Sequence, residues 1–97
     1  METLILSNNR ISKILSVEGL KNLEDLYLDR NKISSLSGIK ALKRIINLDL
    51  EVNKIEFDQL GILRQFKCLK KVSLWGNPLD RDKIEEFSLY FRKEYEK

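Results

Sequence analysis

Carboxylates come nearest to forming a chemical site in this chain. They fall at Asp25, Asp29, Asp49 and Glu51. Such oxygen ligands could hold Ca²⁺, but the four residues lack the ligand spacing of a calcium loop. Histidine, the commonest general base and metal ligand, does not occur among the 97 residues. Cys68 has no base beside it to activate a thiolate, and no glycine-rich phosphate loop is present. We therefore expect no enzymatic activity, no cofactor and no metal.

A repeated phrase organises the chain. The pattern L-x-L-x-x-N-x-I occupies residues 4–11, 26–33 and 48–55, and V-S-L-W-G-N-P-L at 72–79 is a fourth, divergent copy. The asparagines of the four copies, separated by 22, 22 and 24 residues, are Asn9, Asn31, Asn53 and Asn77. Other apolar residues recur with the same period. A self-match at this period predicts a solenoid built from four repeats.

The spacing within each copy predicts its local structure. In L-x-L the leucines point to one face and the x residues to the other, so each copy carries a short strand. Successive strands would stack about 4.8 Å apart as a parallel sheet. The asparagine lies where the chain turns away, and its amide can bond backbone groups that the sheet leaves unpaired. Gly19, Gly38 and Gly61 mark the return segments, where Leu20, Leu42 and Phe66 are expected to pack inward from short helical turns.

These motifs resemble the short 22-residue class of leucine-rich repeats, typified by the regulatory subunit of protein phosphatase 1 and the axonemal dynein light chain. The resemblance covers residues 3 to about 80. It implies an α/β fold: a right-handed solenoid with a parallel sheet on its concave face. It also implies a non-catalytic protein that binds other proteins.

The repeats divide a single domain, residues 1–97, into four coils and a cap. The first to fourth coils are predicted at about 1–19, 20–41, 42–63 and 64–80, and a capping helix at 81–97. In the helix, Ile84, Phe87, Phe91 and Tyr95 share one face. The segment partly resembles the C-terminal cap of this repeat class, although Phe91-Arg92 stands later than the family's Tyr-Arg.

The other end of the predicted solenoid has no such cover. Residue 3 already belongs to the first strand, so Leu4 and Leu6 would lie at an unpaired edge. Such edges pair readily with other chains. We expect association through the first coil, either with a second copy as a homodimer or with an upstream segment of a longer solenoid.

The x positions of the strands line the predicted concave face. In the first coil they are Thr3, Ile5 and Ser7. In the other coils the predicted partner-binding residues are Asp25, Tyr27, Asp29, Asn47, Asp49, Glu51, Lys71, Ser73 and Trp75. Exposed charge is the default for surface positions, so a merely solvated face is the alternative. For Trp75 the alternative is packing against Phe87 or Tyr90 of the cap.

Charge distribution sets the expected partner. The net charge is +3, yet carboxylates dominate the concave face, and the basic residues lie mostly on the return segments. The leading hypothesis is a basic or helical protein partner; the alternative is a structural piece of a larger solenoid. A third hypothesis is nucleic-acid binding through the basic residues Lys43, Arg44, Lys67, Lys70 and Lys71. It is weaker because no aromatic residues accompany them as a platform on which bases could stack.

No small-molecule substrate or membrane contact is expected. The apolar runs are too short to span a bilayer, and the N-terminus lacks the pattern of a secretory signal. The single cysteine suits a reducing compartment, so the expected location is cytoplasmic or nuclear.

Overall fold

Four short parallel strands form the framework of the molecule. The computed structural model describes residues 2–14, 18–83 and 85. Strands β1 (Glu2–Ile5), β2 (Leu23–Tyr27), β3 (Asn47–Asp49) and β4 (Lys71–Ser73) make one sheet in the order β1-β2-β3-β4, and each neighbouring pair is parallel. The predicted parallel sheet of a four-coil solenoid is therefore confirmed.

The register of the sheet follows the period of the sequence. Leu4, Leu26, Leu48 and Val72 pair side by side across the four strands. The flanking x positions also align and form two rows on the opposite face. The first row is Thr3, Asp25, Asn47 and Lys71, and the second row is Ile5, Tyr27, Asp49 and Ser73. Because side chains alternate along a strand, one face collects the leucines and the other collects the x residues.

Pairing continues beyond the strands into the following turns. The backbone N–H of Asn8 donates to Asp29 O, that of Arg30 to Glu51 O, and that of Val52 to Trp75 O, at 2.8–2.9 Å. These bonds add a third row, Ser7, Asp29, Glu51 and Trp75, to the same face as the first two. We call the face formed by the three rows the concave face.

Short 3₁₀ turns carry the chain back after each turn, at Glu18–Leu20, Ser37–Ile39 and Phe57–Gln65. The third is the longest, in the coil that holds the two extra residues of the 24-residue spacing. Gly38 is required by close packing, since a Cβ placed there would lie 1.9 Å from the Ile14 carbonyl oxygen of the preceding coil. Gln59 joins two return segments by accepting a hydrogen bond from the Leu36 N–H at 2.9 Å.

The core lies between the sheet and the return segments. Leu28, Ile33, Leu50 and Ile55 of the middle coils are at most 1% exposed. Their first-coil counterparts Leu4, Leu6 and Ile11 are only partly buried against the same cluster. Of the inward residues predicted on return segments, Leu42 and Phe66 are buried, whereas Leu20 is only half-buried. Each coil thus depends on its neighbours for burial.

The residue before each asparagine of the repeat takes a left-handed backbone conformation. The φ angles are 58° at Asn8, 59° at Arg30, 54° at Val52 and 82° at Gly76. Asparagine and glycine adopt this region readily, whereas a β-branched residue is a true outlier there. The turn geometry is therefore common to all four coils, and Val52 is the residue least suited to it.

The predicted capping helix lies mostly outside the described residues. Residues 81–83 and 85 are helical, and the predicted apolar face at Ile84, Phe87, Phe91 and Tyr95 falls outside the described part. The described start of the helix reaches the third return segment, since Lys83 Nζ lies 4.9 Å from the Phe57 ring centroid. Among the helices that the structure describes, none has the length and apolar character to cross a membrane.

Candidate protein-binding face

Side chains in the first row of the concave face are joined by hydrogen bonds, so the carboxylate in this row is not free. Thr3 Oγ1 donates to Asp25 Oδ2 at 3.0 Å, and Asn47 Nδ2 donates to Asp25 Oδ1 at 2.6 Å. Asp25 is only 6% exposed. Both of its carboxylate oxygens are occupied in linking β1, β2 and β3. The carboxylate of Asp25 therefore ties the strands together, and its predicted role in partner binding stays a prediction.

The second row is the most apolar part of the face. Ile5 is 67% exposed and Tyr27 beside it is also exposed. Asp49 follows on β3, half-buried, and one of its oxygens accepts a hydrogen bond from the Glu51 N–H at 3.0 Å. A shallow cavity of about 210 Å³ lies here, lined by Tyr27, Asn47, Leu48, Asp49, Lys71 and Ser73.

The third row combines carboxylates with the most exposed aromatic ring of the described residues. Ser7 Oγ donates to Asp29 Oδ1 at 2.5 Å, so Asp29 is partly engaged within the sheet. Glu51 is half-buried, and Trp75 at the end of the row is 74% exposed. Phe87 and Tyr90, the alternative packing partners of Trp75, lie outside the described residues. The concave face thus presents apolar groups at both ends and carboxylates in the middle.

Asparagines at the turns connect neighbouring coils. Asn31 Oδ1 accepts from the Ile11 N–H at 3.1 Å, while its Nδ2 donates to Leu6 O of the first coil and Leu28 O of its own coil, each at 3.0 Å. Asn53 repeats the arrangement one coil later: it accepts from the Ile33 N–H at 3.0 Å. We call these asparagines, with Asn9 and Asn77, the asparagine ladder.

The two ends of the ladder differ. Asn77 accepts from the Ile55 N–H at 3.0 Å and donates to Leu50 O of the third coil at 2.8 Å. Asn9 is exposed and, among the described residues, donates only to Leu6 O and Ser7 O of its own coil. Each bridging asparagine reaches the coil before it, so the first member of the ladder has no such coil to reach among the described residues.

The basic residues of the return segments form a separate surface. Lys43, Arg44, Lys67 and Lys70 are exposed and precede β3 or β4. Lys71 is exposed in β4 itself and is the basic residue of the first row. The concave face and the return segments therefore differ in charge sign, as the sequence predicts.

Candidate catalytic groups are not brought together in the described structure. Cys68 is exposed at the turn before β4. Within residues 2–14, 18–83 and 85, no group of three or more carboxylate or thiol side chains is placed to hold a metal ion. In the same residues every buried side-chain nitrogen and oxygen has a hydrogen-bond partner.

Two exposed apolar residues on the concave face or in its turns, Ile5 and Val52, are not among the predicted binding residues. The sequence pattern places Ile5 on the concave face without a binding role, and it makes no binding prediction for Val52. A signal for Val52 existed, since Asn8 and Gly76 occupy the same slot of the repeat and both types are typical of left-handed turns.

Comparison with known proteins agrees with the geometry. The family described as leucine-rich repeats, in two copies, matches residues 1–43. The fold is a leucine-rich-repeat solenoid. A solved structure similar to it is an internalin from Listeria monocytogenes, with 26% sequence identity and a TM-score of 0.74. That match covers 87% of this chain and 24% of the internalin, so the solenoid spans about a quarter of the length of that structure. No curated protein matches the chain.

Proposed function

We propose that this leucine-rich-repeat solenoid is a non-catalytic module that binds a protein partner on its concave face. The observation that carries the proposal is the set of exposed apolar residues, Ile5, Tyr27 and Trp75, held on a sheet among half-buried carboxylates. Exposed aromatic residues in such settings are enriched among residues that dominate binding energy. Proteins built from leucine-rich repeats are generally protein-interaction modules, which supports the same conclusion.

The charges of the face favour a basic partner. Asp29, Asp49 and Glu51 are half-buried in adjacent coils, while Lys71 lies at the edge of the first row. A lysine- or arginine-bearing protein segment, extended or helical, complements this arrangement. A nucleic acid would place phosphates against the carboxylates. The cavity of about 210 Å³ is smaller than the roughly 300–1,000 Å³ of typical small-molecule sites.

Three further assignments belong to this proposal. The 22-residue class of the repeat fits the spacing of the first three asparagines. The capping helix predicted at 81–97, within a single domain 1–97, stays a prediction, since most of that segment lies outside the described residues. An intracellular location suits the exposed thiol of Cys68.

Charge reversal tests the proposal. The chain is used as bait in its native form, as a D29K/E51K variant and as a matched K43E/K67E variant of the return segments. We expect a protein retained by the native chain and the K43E/K67E bait to be lost from the D29K/E51K bait, while circular dichroism shows both variants folded. Retention by D29K/E51K with loss from K43E/K67E would place binding on the return segments.

Association through the first coil is a second candidate function. It is favoured by the asymmetry of the asparagine ladder, since the hydrogen bonds of Asn9 to described residues stay within its own coil, and by the partial burial of Leu4, Leu6 and Ile11. Another strand or coil placed against β1 would cover these residues and engage Asn9. A second copy related by two-fold symmetry would bring identical edges together.

Sedimentation of residues 1–97 over a wide concentration range tests this association. The comparison is the same chain with a polar capping helix added before residue 3. We expect the unmodified chain to self-associate and the capped chain to sediment as a monomer with a higher melting temperature. A monomer at every concentration, with no gain from the cap, contradicts edge association.

A further inference from the structure

The adjacent turns of the third and fourth coils, which follow β3 and β4, carry an apolar surface that the fold does not require. Val52 is 39% exposed and holds a φ of 54°, and the next coil places Trp75 beside it. The equivalent slots hold Asn8, Arg30 and Gly76. A β-branched residue in this conformation is disfavoured in every context, and an exposed one gains little from burial. Strain of this kind clusters at binding sites.

Contacts between the two coils fix the shape of this surface. The Val52 N–H donates to the Trp75 carbonyl oxygen at 2.8 Å. A Cβ added to Gly76 would lie 2.9 Å from Val52 Cγ2, so the valine side chain rests directly against the backbone of the fourth coil. Gly76 leaves the room that this contact needs. The two turns are therefore joined, because Val52 packs against Gly76 and its N–H bonds the Trp75 carbonyl.

A carboxylate borders the apolar surface. Glu51 precedes Val52 in the chain and lies beside Trp75 in the third row. Asp49 lies two residues earlier, in the second row. An apolar side chain of a partner can pack on Val52 and Trp75, while a neighbouring guanidinium or ammonium group reaches Glu51 or the face of the indole ring. Charge complementarity thus selects a cation beside the apolar group.

We infer that Glu51, Val52 and Trp75, here called the Trp75 rim, form the contact site for a protein segment that presents an apolar side chain next to an arginine or lysine. This inference rests on the proposed function and names the partner's chemistry at one part of the concave face. The rim anchors the segment, and the carboxylates of the middle coils extend the contact.

Random peptides displayed on phage and selected against the immobilised full chain test the inference. The selected sequences are expected to share an apolar residue adjacent to arginine or lysine. Each selected peptide is then synthesised, and its dissociation constant is measured by fluorescence anisotropy at two salt concentrations. On the Trp75→Ser chain we expect binding to weaken about tenfold or more, the loss typical of a central aromatic contact.

Matched variants separate a binding role from a folding role. Val52→Asn removes the apolar side chain but suits the backbone conformation, so it should weaken binding severalfold without lowering the melting temperature. Glu51→Gln should reduce the salt dependence of binding. Phe57→Ser removes another exposed aromatic ring, on the return segment, and should leave the affinity unchanged.

The remaining outcomes show whether the Trp75 rim hypothesis alone is wrong or whether the concave-face proposal is wrong as well. Peptides that bind the Trp75→Ser chain normally but are lost on a Tyr27→Ser or Asp49→Asn chain overturn the rim and leave the concave-face proposal standing. Peptides indifferent to all of these variants, or a selection that yields no binder, overturn both. A dimer that Trp75→Ser converts to a monomer assigns the rim to a second copy and overturns the inference.

Discussion

The first coil and the middle coils carry the same motif but form different contacts. Asn53 bonds the backbone of its own coil and of the coil before it, whereas Asn9, within the part of the chain that the structure describes, bonds only its own coil. Leu28 is 1% exposed, and its counterpart Leu6 is only partly buried. The comparison shows that a repeat residue acquires its stabilising role from the neighbouring coil. The motif alone supplies the capacity for those contacts.

Core truncation should reveal the largest difference between these coils. Leu28→Ala removes a fully enclosed side chain, and we expect it to lower the free energy of unfolding by about 2–5 kcal/mol. Leu6→Ala should cost roughly half as much, because part of its side chain already contacts water and the cavity can collapse. Urea denaturation followed by circular dichroism measures both. Equal losses at the two sites would contradict the comparison.

Asparagine substitutions should show a smaller difference in the same direction. Asn53→Ala leaves the Ile33 N–H and the Leu28 carbonyl without their partner, which should cost about 1–3 kcal/mol. Asn9→Ala removes only bonds of an exposed amide within its own coil, so the loss should be below about 0.5 kcal/mol. The same denaturation measurement applies. Indistinguishable, negligible losses would remove the ladder's stabilising role.

The left-handed turns provide the smallest expected effect, and its sign is reversed. Here the first coil has the better suited residue, Asn8, and the well-packed third coil has the strained Val52. Val52→Asn should raise the free energy of unfolding by about 0.5–1 kcal/mol, since relief of strain outweighs the loss of a partly exposed apolar contact. Arg30→Asn, which removes no β-branched side chain, is the control and should change stability less. A destabilised Val52→Asn chain would mean that the contact with Gly76 outweighs the strain.

Much of the fold was predictable from the sequence, because the repeat period fixes which residues pair across neighbouring strands and which face of the sheet each side chain occupies. Strands separated by 22 residues align in register, so Leu26 and Leu48 had to share the buried face and Tyr27 and Asp49 the other. The candidate site was less predictable. Asp25 and Asp49 occupy the same type of strand position, yet only Asp25 has both a hydroxyl and an amide of its neighbours within hydrogen-bonding distance. That distinction depends on which side chains the register brings together in each row.

By itself, the sequence determined the repeat, the strand faces, the position of each asparagine and the separation of acidic from basic surfaces. These properties follow from local spacing, because alternation along a strand and a constant repeat length dictate them. Only the tertiary structure decided that Asp25 is buried, that Asn9 bonds its own coil in the described residues and that Val52 packs over Gly76 beside an exposed Trp75. Those outcomes depend on distances between coils, and atoms of different coils meet only after the solenoid has stacked.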